Sequence, residues 1–166
     1  MLQRYSGAMT PIPLSDQRVS DLRTLYDRCY GCGSQNPIGL HLDGFTEIPN
    51  GVRAPFDPKQ DFNGFHGILH GGVIATALDE ISAWAAIHTD GVFIFTAKLE
   101  IRYRSEARID ELFVLEGVVE ERRGKRLLIK ASLTGPDAVV AESSGLFVVA
   151  DTVENLLARK GDITST

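Results

Sequence analysis

The stretch from His70 to Asp79 holds the residue types that an acyl-transfer reaction needs. Gly71 and Gly72 can open a helix, and the first N–H groups of a helix lack internal acceptors and carry the positive end of its dipole. Such groups can stabilise the oxyanion that forms when a carbonyl is attacked. Asp79 lies within the apolar helical pattern that follows, where a poorly solvated carboxylate is a candidate base or nucleophile. The stretch therefore predicts an acyl-transfer site.

The spacing of these residues predicts a site shared by two chains. Gly71 and Asp79 are eight residues apart, or ~12 Å along a helix at about 1.5 Å per residue. A reacting carbon needs its oxyanion donor and its base within ~3 Å or one water molecule. We therefore expect a two-fold dimer, in which Gly71 of one protomer faces Asp79 of the other at two equivalent sites.

Composition indicates one globular domain without a general affinity for nucleic acid. The 166 residues carry a net charge of −5, whereas phosphate binding needs a basic field. No apolar run approaches the ~20 residues of a membrane-spanning helix, and Met1–Thr10 lacks the apolar run of a signal peptide. We expect a cytoplasmic protein without membrane insertion.

The hydrophobic pattern predicts one covered helix followed by long strands. Residues 62–97 contain no Lys or Arg, so the helix at Gly72–His88 should be largely covered, with a small-residue side left for a partner, a substrate or water. Short turns predict antiparallel pairing of the strands after it. The predicted strands are Leu40–Phe45 with Val52–Phe56, then Phe93–Ser105, Leu112–Arg122, Arg126–Thr134 and Ala138–Ala150.

The flanking segments complete a three-part organisation. We predict a leader at Met1–Pro13 with a helix over Leu14–Arg28, together packed on the domain as residues 1–28. The main domain spans residues 29–150, and residues 151–166 form a short helix at Thr152–Lys160 with a disordered tail.

Three blocks of sequence resemble the hotdog-fold acyl-CoA thioesterases of the PaaI-like group. They are Gly67-x-x-His70-Gly71-Gly72 with Asp79-Glu80, the opening Cys29-Tyr30-Gly31-Cys32-Gly33-x-x-Asn36-Pro37-x-Gly39-Leu40, and Thr96-Ala97-Lys98-Leu99. The resemblance covers roughly residues 29–150. It implies an α+β hotdog fold, in which a curved antiparallel sheet of five to six strands wraps a long central helix, here with an added N-terminal helix.

The resemblance also implies a role for each site residue. It implies that Gly71 N–H polarises the thioester carbonyl, that Asp79 of the partner subunit activates water or attacks, and that Thr96 positions the water. His70 either orients the loop or hydrogen-bonds the substrate carbonyl, or it is only a satisfied structural group. One branch of the family has Asn or Gln six residues before the His, where this chain has Gly64 beside Asn63. Strict alternation puts Thr96 on the polar strand face unless a bulge re-aims it.

Two further groups of residues have both functional and structural interpretations. The basic turn that includes Arg123 and Lys125 would suit coenzyme A phosphates, although most such turns are merely solvated. Cys29 and Cys32 could be half of a metal or redox site, but no second cysteine pair exists and we expect no metal ligands. Glu80 is interpreted as a helix-surface charge or as a supporting partner of the site.

The leading hypothesis is an acyl-CoA thioesterase that releases free acid and coenzyme A without any other cofactor. Its catalytic candidates are Asp79, Gly71, His70 and Thr96, and its substrate-binding candidates are Gly72, Asn63, Arg123 and Lys125. The expected assembly is a homodimer or a homotetramer built from two dimers. The alternatives are a hotdog-type enoyl-CoA hydratase or dehydratase using His66 and His70, and a non-catalytic acyl-CoA-binding module.

Overall fold

A long helix packed against an antiparallel sheet forms the centre of the protein. The structure is a computed structural model, and it describes residues 11–159, so most of the predicted leader and the predicted disordered tail lie outside the described residues. The elements in chain order are α1 (Gln17–Leu25), β1 (Thr46–Ile48), β2 (Gly51–Phe56), β3 (Asn63–Phe65), β4 (Ile68–Leu69), α2 (Gly71–Asp90), β5 (Val92–Tyr103), β6 (Phe113–Arg123), β7 (Arg126–Thr134), β8 (Val139–Thr152) and α3 (Val153–Ala158).

The sheet has six strands in the order β1-β2-β6-β7-β8-β5, and every neighbouring pair is antiparallel. The tight turns after β6 and β7 make local hairpins, as predicted. Strand β5 follows α2 directly but pairs with β8, so it forms one edge of this sheet. The predicted fold class, an antiparallel sheet of five to six strands with a central helix and an N-terminal helix, is confirmed.

Helix α2 is buried because its apolar residues face the sheet. Ile74, Leu78 and Ile81 are at most 4% exposed, and burial of such side chains is the main favourable contribution to folding. His70 caps the start of the helix, and Gly91 ends it in the left-handed conformation that glycine adopts at little cost. The helix is thus one rigid rod of 20 residues.

The expectation that the small-residue side of α2 stays open is wrong for its second half. Ser82 and Ala86 are fully buried, and the Ser82 hydroxyl donates to the Leu78 carbonyl. The first half of that side, which includes Gly72 and Asp79, keeps contact with solvent, whereas in the second half Ala83 is partly exposed between the buried Ser82 and Ala86. The helical wheel alone cannot show this difference because it contains no information about which strands cover which turn.

Several predicted boundaries also change. The first strand begins at Thr46, and the segment from Leu40 to Leu42 is buried without forming a strand. The sequence analysis missed the small hairpin of β3 and β4, which is too short for an alternating pattern to reveal. Helix α1 is shorter than predicted, and Asp16 caps it by accepting from the Arg18 backbone N–H.

Candidate active site

The start of α2 presents one unpaired backbone donor. His70 Nδ1 accepts a 2.9 Å hydrogen bond from Gly72 N–H, and the His70 carbonyl accepts from Val73 and Ile74. The Gly71 N–H has no acceptor among residues 11–159. Because Nδ1 accepts, the proton of the neutral ring lies on Nε2. The histidine therefore has a structural task, which is to fix the helix start and leave the Gly71 donor free.

Tyr103 holds the same turn from the sheet. Its hydroxyl donates to the Gly71 carbonyl at 2.8 Å, so the peptide groups on both sides of Gly71 are fixed in orientation. Tyr103 is 50% exposed, and its partner in β8 is Ala141, a buried residue on the helix-facing side. The sequence analysis missed Tyr103. Its alternation with Leu99 and Ile101 along β5 places it on the helix-facing side of the strand and could have revealed it.

Asp79 and Thr96 form a direct pair. The Thr96 hydroxyl donates to Asp79 Oδ1 at 2.7 Å, and the second carboxylate oxygen has no donor within the described part of the chain. The Asp79 side chain is partly buried beside this hydroxyl. The pair can therefore hold a carboxylate in one orientation with its other oxygen open to a water molecule or a substrate.

A β-bulge brings Thr96 to the helix side. Thr96 pairs with Phe147 and Lys98 pairs with Leu146, so Ala97 is an extra residue in β5. Phe147 is buried in the core, and residues directly opposite in a sheet share a face, so Thr96 faces α2. Lys98 lies on the outer face, as simple alternation predicts. The sequence analysis named a bulge as the one way in which Thr96 could leave the polar strand face, and this bulge is present.

One chain does not bring Gly71 to Asp79. Both residues belong to the uninterrupted helix α2, which separates them by ~12 Å along its axis. The structure therefore places the free N–H and the Asp79–Thr96 pair in two separate places on one protomer.

The predicted substrate-binding residues near the helix start have structural contacts. Asn63 Oδ1 accepts from Gly67 N–H at 3.1 Å and so closes the β3–β4 turn. A Cβ atom at Gly64 would lie 3.1 Å from His70 Cα, which is closer than most real contacts. A larger residue at this position would therefore require His70 to shift by a few tenths of an ångström.

The basic turn lies at the far end of α2. Arg122 forms an ion pair with Asp90, the last residue of the helix, roughly 28 Å from Gly71 along the axis. Arg123 is 81% exposed and pairs with Glu121. Lys125 lies in the same turn and contributes electrostatically at Asp151. The turn is therefore remote from the Gly71 donor of its own chain.

The same turn is much closer to Thr96. Leu127, just after the turn, pairs with Phe147, which in turn pairs with Thr96. Two strand spacings amount to roughly 10 Å. The basic turn and the Asp79–Thr96 pair therefore lie on the same side of a protomer.

Glu80 does not lie on the helix surface, so that interpretation is wrong. Its side chain is partly buried, and Oε1 accepts from the Trp84 indole N–H at 3.0 Å. Cys29 Sγ lies 3.7 Å from Glu80 Oε2. Burial raises the pKa of Glu80 to about 7. A hydrogen bond from Cys32 lowers the pKa of Cys29 to about 5, whereas the same contact and burial raise the pKa of Cys32.

Comparison with known proteins agrees with this fold. Residues 66–142 match the family model of the thioesterase superfamily. The chain is 29% identical over 109 residues to mouse acyl-coenzyme A thioesterase THEM4, covering 64% of this chain and 46% of that protein. It is 30% identical over 95 residues to human acyl-coenzyme A thioesterase THEM5, covering 56% and 38%. The chain thus spans less than half the length of these curated relatives.

Solved structures share the fold. A Streptococcus mutans protein bound to acetyl-CoA superposes with a TM-score of 0.62 at 20% identity, covering 67% of this chain and 90% of that one. The sheet order and the central helix define the class, which is a hotdog fold similar to that of solved thioesterases. Residues 66–142 match the model of the thioesterase superfamily, and the matched segment includes the whole of α2, the Asp79–Thr96 pair and Tyr103. The predicted resemblance is confirmed.

No helix within residues 11–159 is long and apolar enough to cross a membrane.

Proposed function

We propose that this protein is an acyl-CoA thioesterase whose sites each combine residues of two subunits. The observation that carries the proposal is the unpaired Gly71 N–H on the same helix as the Asp79–Thr96 pair, ~12 Å away. Acyl transfer needs a donor for the oxyanion and a base or nucleophile at one carbon. The two halves can meet only if a second chain supplies one of them.

In the proposed reaction, Gly71 N–H binds the thioester oxygen as it gains charge. Asp79 of the other protomer either takes a proton from an attacking water or attacks the carbonyl carbon itself. Thr96 orients Asp79 through its 2.7 Å hydrogen bond and positions the water. With water as the nucleophile, the C–S bond of the tetrahedral intermediate then breaks, and coenzyme A leaves as thiol with the proton that Asp79 took from the water. With Asp79 as the nucleophile, C–S cleavage leaves an acyl–Asp79 anhydride; a water molecule then hydrolyses this anhydride to the free acid and the Asp79 carboxylate, and its remaining proton neutralises the coenzyme A thiolate. No metal or redox cofactor takes part.

The free edge of β5 supports dimer formation. Strand β5 has 12 residues and pairs with β8 on one side only. A long unpaired edge readily adds another strand, and Phe95 on it is 71% exposed. Thr96 belongs to the same edge strand, so a partner that docks there lies next to the Asp79–Thr96 pair. Whether two such dimers form a tetramer is left to a measurement of mass in solution.

In the proposal, the basic turn with Arg123 and Lys125 binds the phosphates of coenzyme A. It does so at the site to which its own protomer contributes Asp79. Support comes from the roughly 10 Å between Thr96 and the strand that follows Lys125. Gly72 contributes by anchoring His70, and Asn63 by shaping the hairpin beside the helix start.

A substrate screen identifies the acyl group. We place the reaction in the cytoplasm, where free cysteines such as Cys29 and Cys32 persist.

A mixing experiment tests the shared site. Gly71→Pro and Asp79→Asn chains are each expected to be inactive, and co-refolding or coexpression should restore one intact site in each mixed dimer. Random pairing makes half of the dimers mixed with one of two sites intact, so about a quarter of wild-type activity should return. Activity is measured as thiol release from short, long and aryl acyl-CoA substrates.

Three results would contradict the proposal. Absence of recovery in verified mixed dimers would refute the shared site, since a site within one chain cannot be complemented. Hydration of an enoyl-CoA without thiol release would favour the hydratase alternative, although neither His66 nor His70 contacts a carboxylate among residues 11–159. Binding of acyl-CoA that stays intact would favour a binding module.

A further inference from the structure

Cys29, Cys32 and Glu80 form a second cluster of reactive side chains. Glu80 follows Asp79 in sequence, but its side chain contacts the cysteines and not Thr96. The donor atoms of Cys29, Cys32 and Glu80 all lie within 4.8 Å of one another. The cysteines come from the turn before β1, and Glu80 comes from α2, 51 residues after Cys29. The proposed reaction uses none of these three side chains.

The distances suit tetrahedral coordination. Cys29 Sγ lies 3.7 Å and 3.9 Å from the two Glu80 carboxylate oxygens. Zinc binds thiolates at ~2.3 Å and carboxylate oxygens at ~2.0–2.2 Å, so tetrahedral ligands lie roughly 3.5–3.8 Å apart. An ion can therefore be placed between these atoms with only small side-chain movements.

The turn is shaped around the carboxylate. A Cβ atom at Gly31 would collide with the Glu80 carboxylate, so glycine lets the turn approach α2 while this carboxylate keeps its position beside the cysteines. The backbone then returns beside the turn, with Leu40 N–H donating to the Tyr30 carbonyl and Leu42 N–H to the Gly31 carbonyl. These bonds fix the backbone of Tyr30 and Gly31, the two residues between the cysteines.

Glu80 also lacks a cationic partner. In the described range, no Lys, Arg or His forms an ion pair with it, and its contacts are the Trp84 indole and the cysteine thiols. A carboxylate taken out of water is costly unless a proton or a cation neutralises it. Two cysteines beside such a group point to a cation that prefers sulfur together with oxygen.

We propose that Cys29, Cys32 and Glu80 bind one zinc ion, which ties the cysteine turn to α2. Water fills the fourth position, because both cysteines are partly exposed. The alternative use of the pair, a Cys29–Cys32 disulfide, would remove both sulfur ligands and leave Glu80 without a partner cation. The ion takes no part in the proposed thioester hydrolysis, which uses Asp79 and not Glu80. This inference revises the expectation of no metal ligands, which was based on the lack of a second cysteine pair.

Cobalt binding tests the site directly. Reduced, metal-free protein is titrated with Co²⁺ and then with Zn²⁺ under argon. We expect one equivalent of cobalt to bind with thiolate-to-cobalt charge-transfer absorption and tetrahedral d–d bands, and zinc to displace it. Elemental analysis of protein purified without an affinity tag should find about one zinc per chain.

Matched variants identify the ligands. Cys32→Ser should abolish the charge-transfer signal from its sulfur. Glu80→Gln, which preserves the shape of the side chain, should weaken cobalt affinity by more than ~10–100-fold, which is the typical loss when a residue that only supports a metal ligand is replaced. Glu106→Gln, at an exposed glutamate, is the control and should bind as wild type. Asp79→Asn should also keep the metal, which separates this site from the proposed catalysis.

Two outcomes would overturn the inference. The first is reduced wild-type protein that binds no stoichiometric cobalt while circular dichroism shows it folded. The second is unchanged affinity in Glu80→Gln, which would exclude the carboxylate as a ligand. A zinc-dependent rise in melting temperature in wild type but not in Cys32→Ser gives support that does not depend on spectroscopy.

Discussion

Replacing Gly71 by proline should remove the proposed oxyanion donor without disturbing the helix. Proline lacks the backbone N–H, and it is well tolerated at the first position of a helix. His70, the preceding residue, has φ −61° and ψ 132°, which is the extended conformation that a residue before proline prefers. A Cβ atom at Gly71 would meet Tyr103 Oη at 3.5 Å, an ordinary contact.

The expected loss is large because the lost bond forms mainly in the transition state. Removal of one oxyanion donor typically costs ~10²–10³ in kcat, or about 2.7–4 kcal/mol. Gly71→Ala is the matched control, since it adds a similar Cβ but keeps the N–H, and it should stay within about tenfold of wild type. The assay is continuous thiol release from the best acyl-CoA substrate, with kcat and KM determined separately.

The result that would refute this reasoning is specific. A folded Gly71→Pro protein with kcat close to that of wild type would show that the helix-start N–H does not stabilise the oxyanion. Equal losses in both variants would instead indicate that bulk near Tyr103, and not the missing hydrogen bond, causes the effect. Melting temperatures of both variants provide the folding control.

Other contacts give predictions of the same kind. Thr96→Val should lower kcat by about 10–100-fold, because a hydrogen bond to a charged group contributes ~1.5–3 kcal/mol, whereas Thr96→Ser, which keeps the hydroxyl, should retain most activity in the same thiol-release assay. Leu78→Ala, in the fully buried face of α2, should lower the free energy of unfolding in urea by ~2–5 kcal/mol, and a change below ~1 kcal/mol would contradict the assigned core. Hydrogen bonds from Arg18 lower the pKa of Asp16 from 3.8 to about 2, so the charge of this helix cap stabilises the fold above pH 4 and loses that effect as the pH falls toward 2. Asp16→Asn should remove this part of the acid dependence, and the NMR titration of the Asp16 carboxyl should have its midpoint near 2.

Much of the fold follows from local pattern. The turns after β6 and β7, the four long strands after α2 and the capped start of α2 are all visible in the sequence, because alternation and helix-start chemistry depend on near neighbours. The distance between Gly71 and Asp79 follows from helix geometry alone, which is why a shared site could be inferred before any coordinates.

What the sequence could not show depends on contacts between distant segments. Tyr103 reaches Gly71 because β5 runs back along α2, and Glu80 meets Cys29 because a turn 51 residues earlier folds onto the helix. Likewise, Ser82 looks available on a helical wheel but is covered by the sheet. Such pairings come from tertiary packing, which overrides local expectation.

The extra residue Ala97 explains why Thr96 and Leu99 share one face of β5 although they are three positions apart. In a regular strand that odd spacing would place them on opposite faces, whereas deleting Ala97 would leave a regular strand in which Thr96 still faces the same way as Leu99 and Ile101. When related sequences are aligned, a one-residue gap at Ala97 is therefore compatible with a threonine that faces the helix, provided that the strand lacks the bulge.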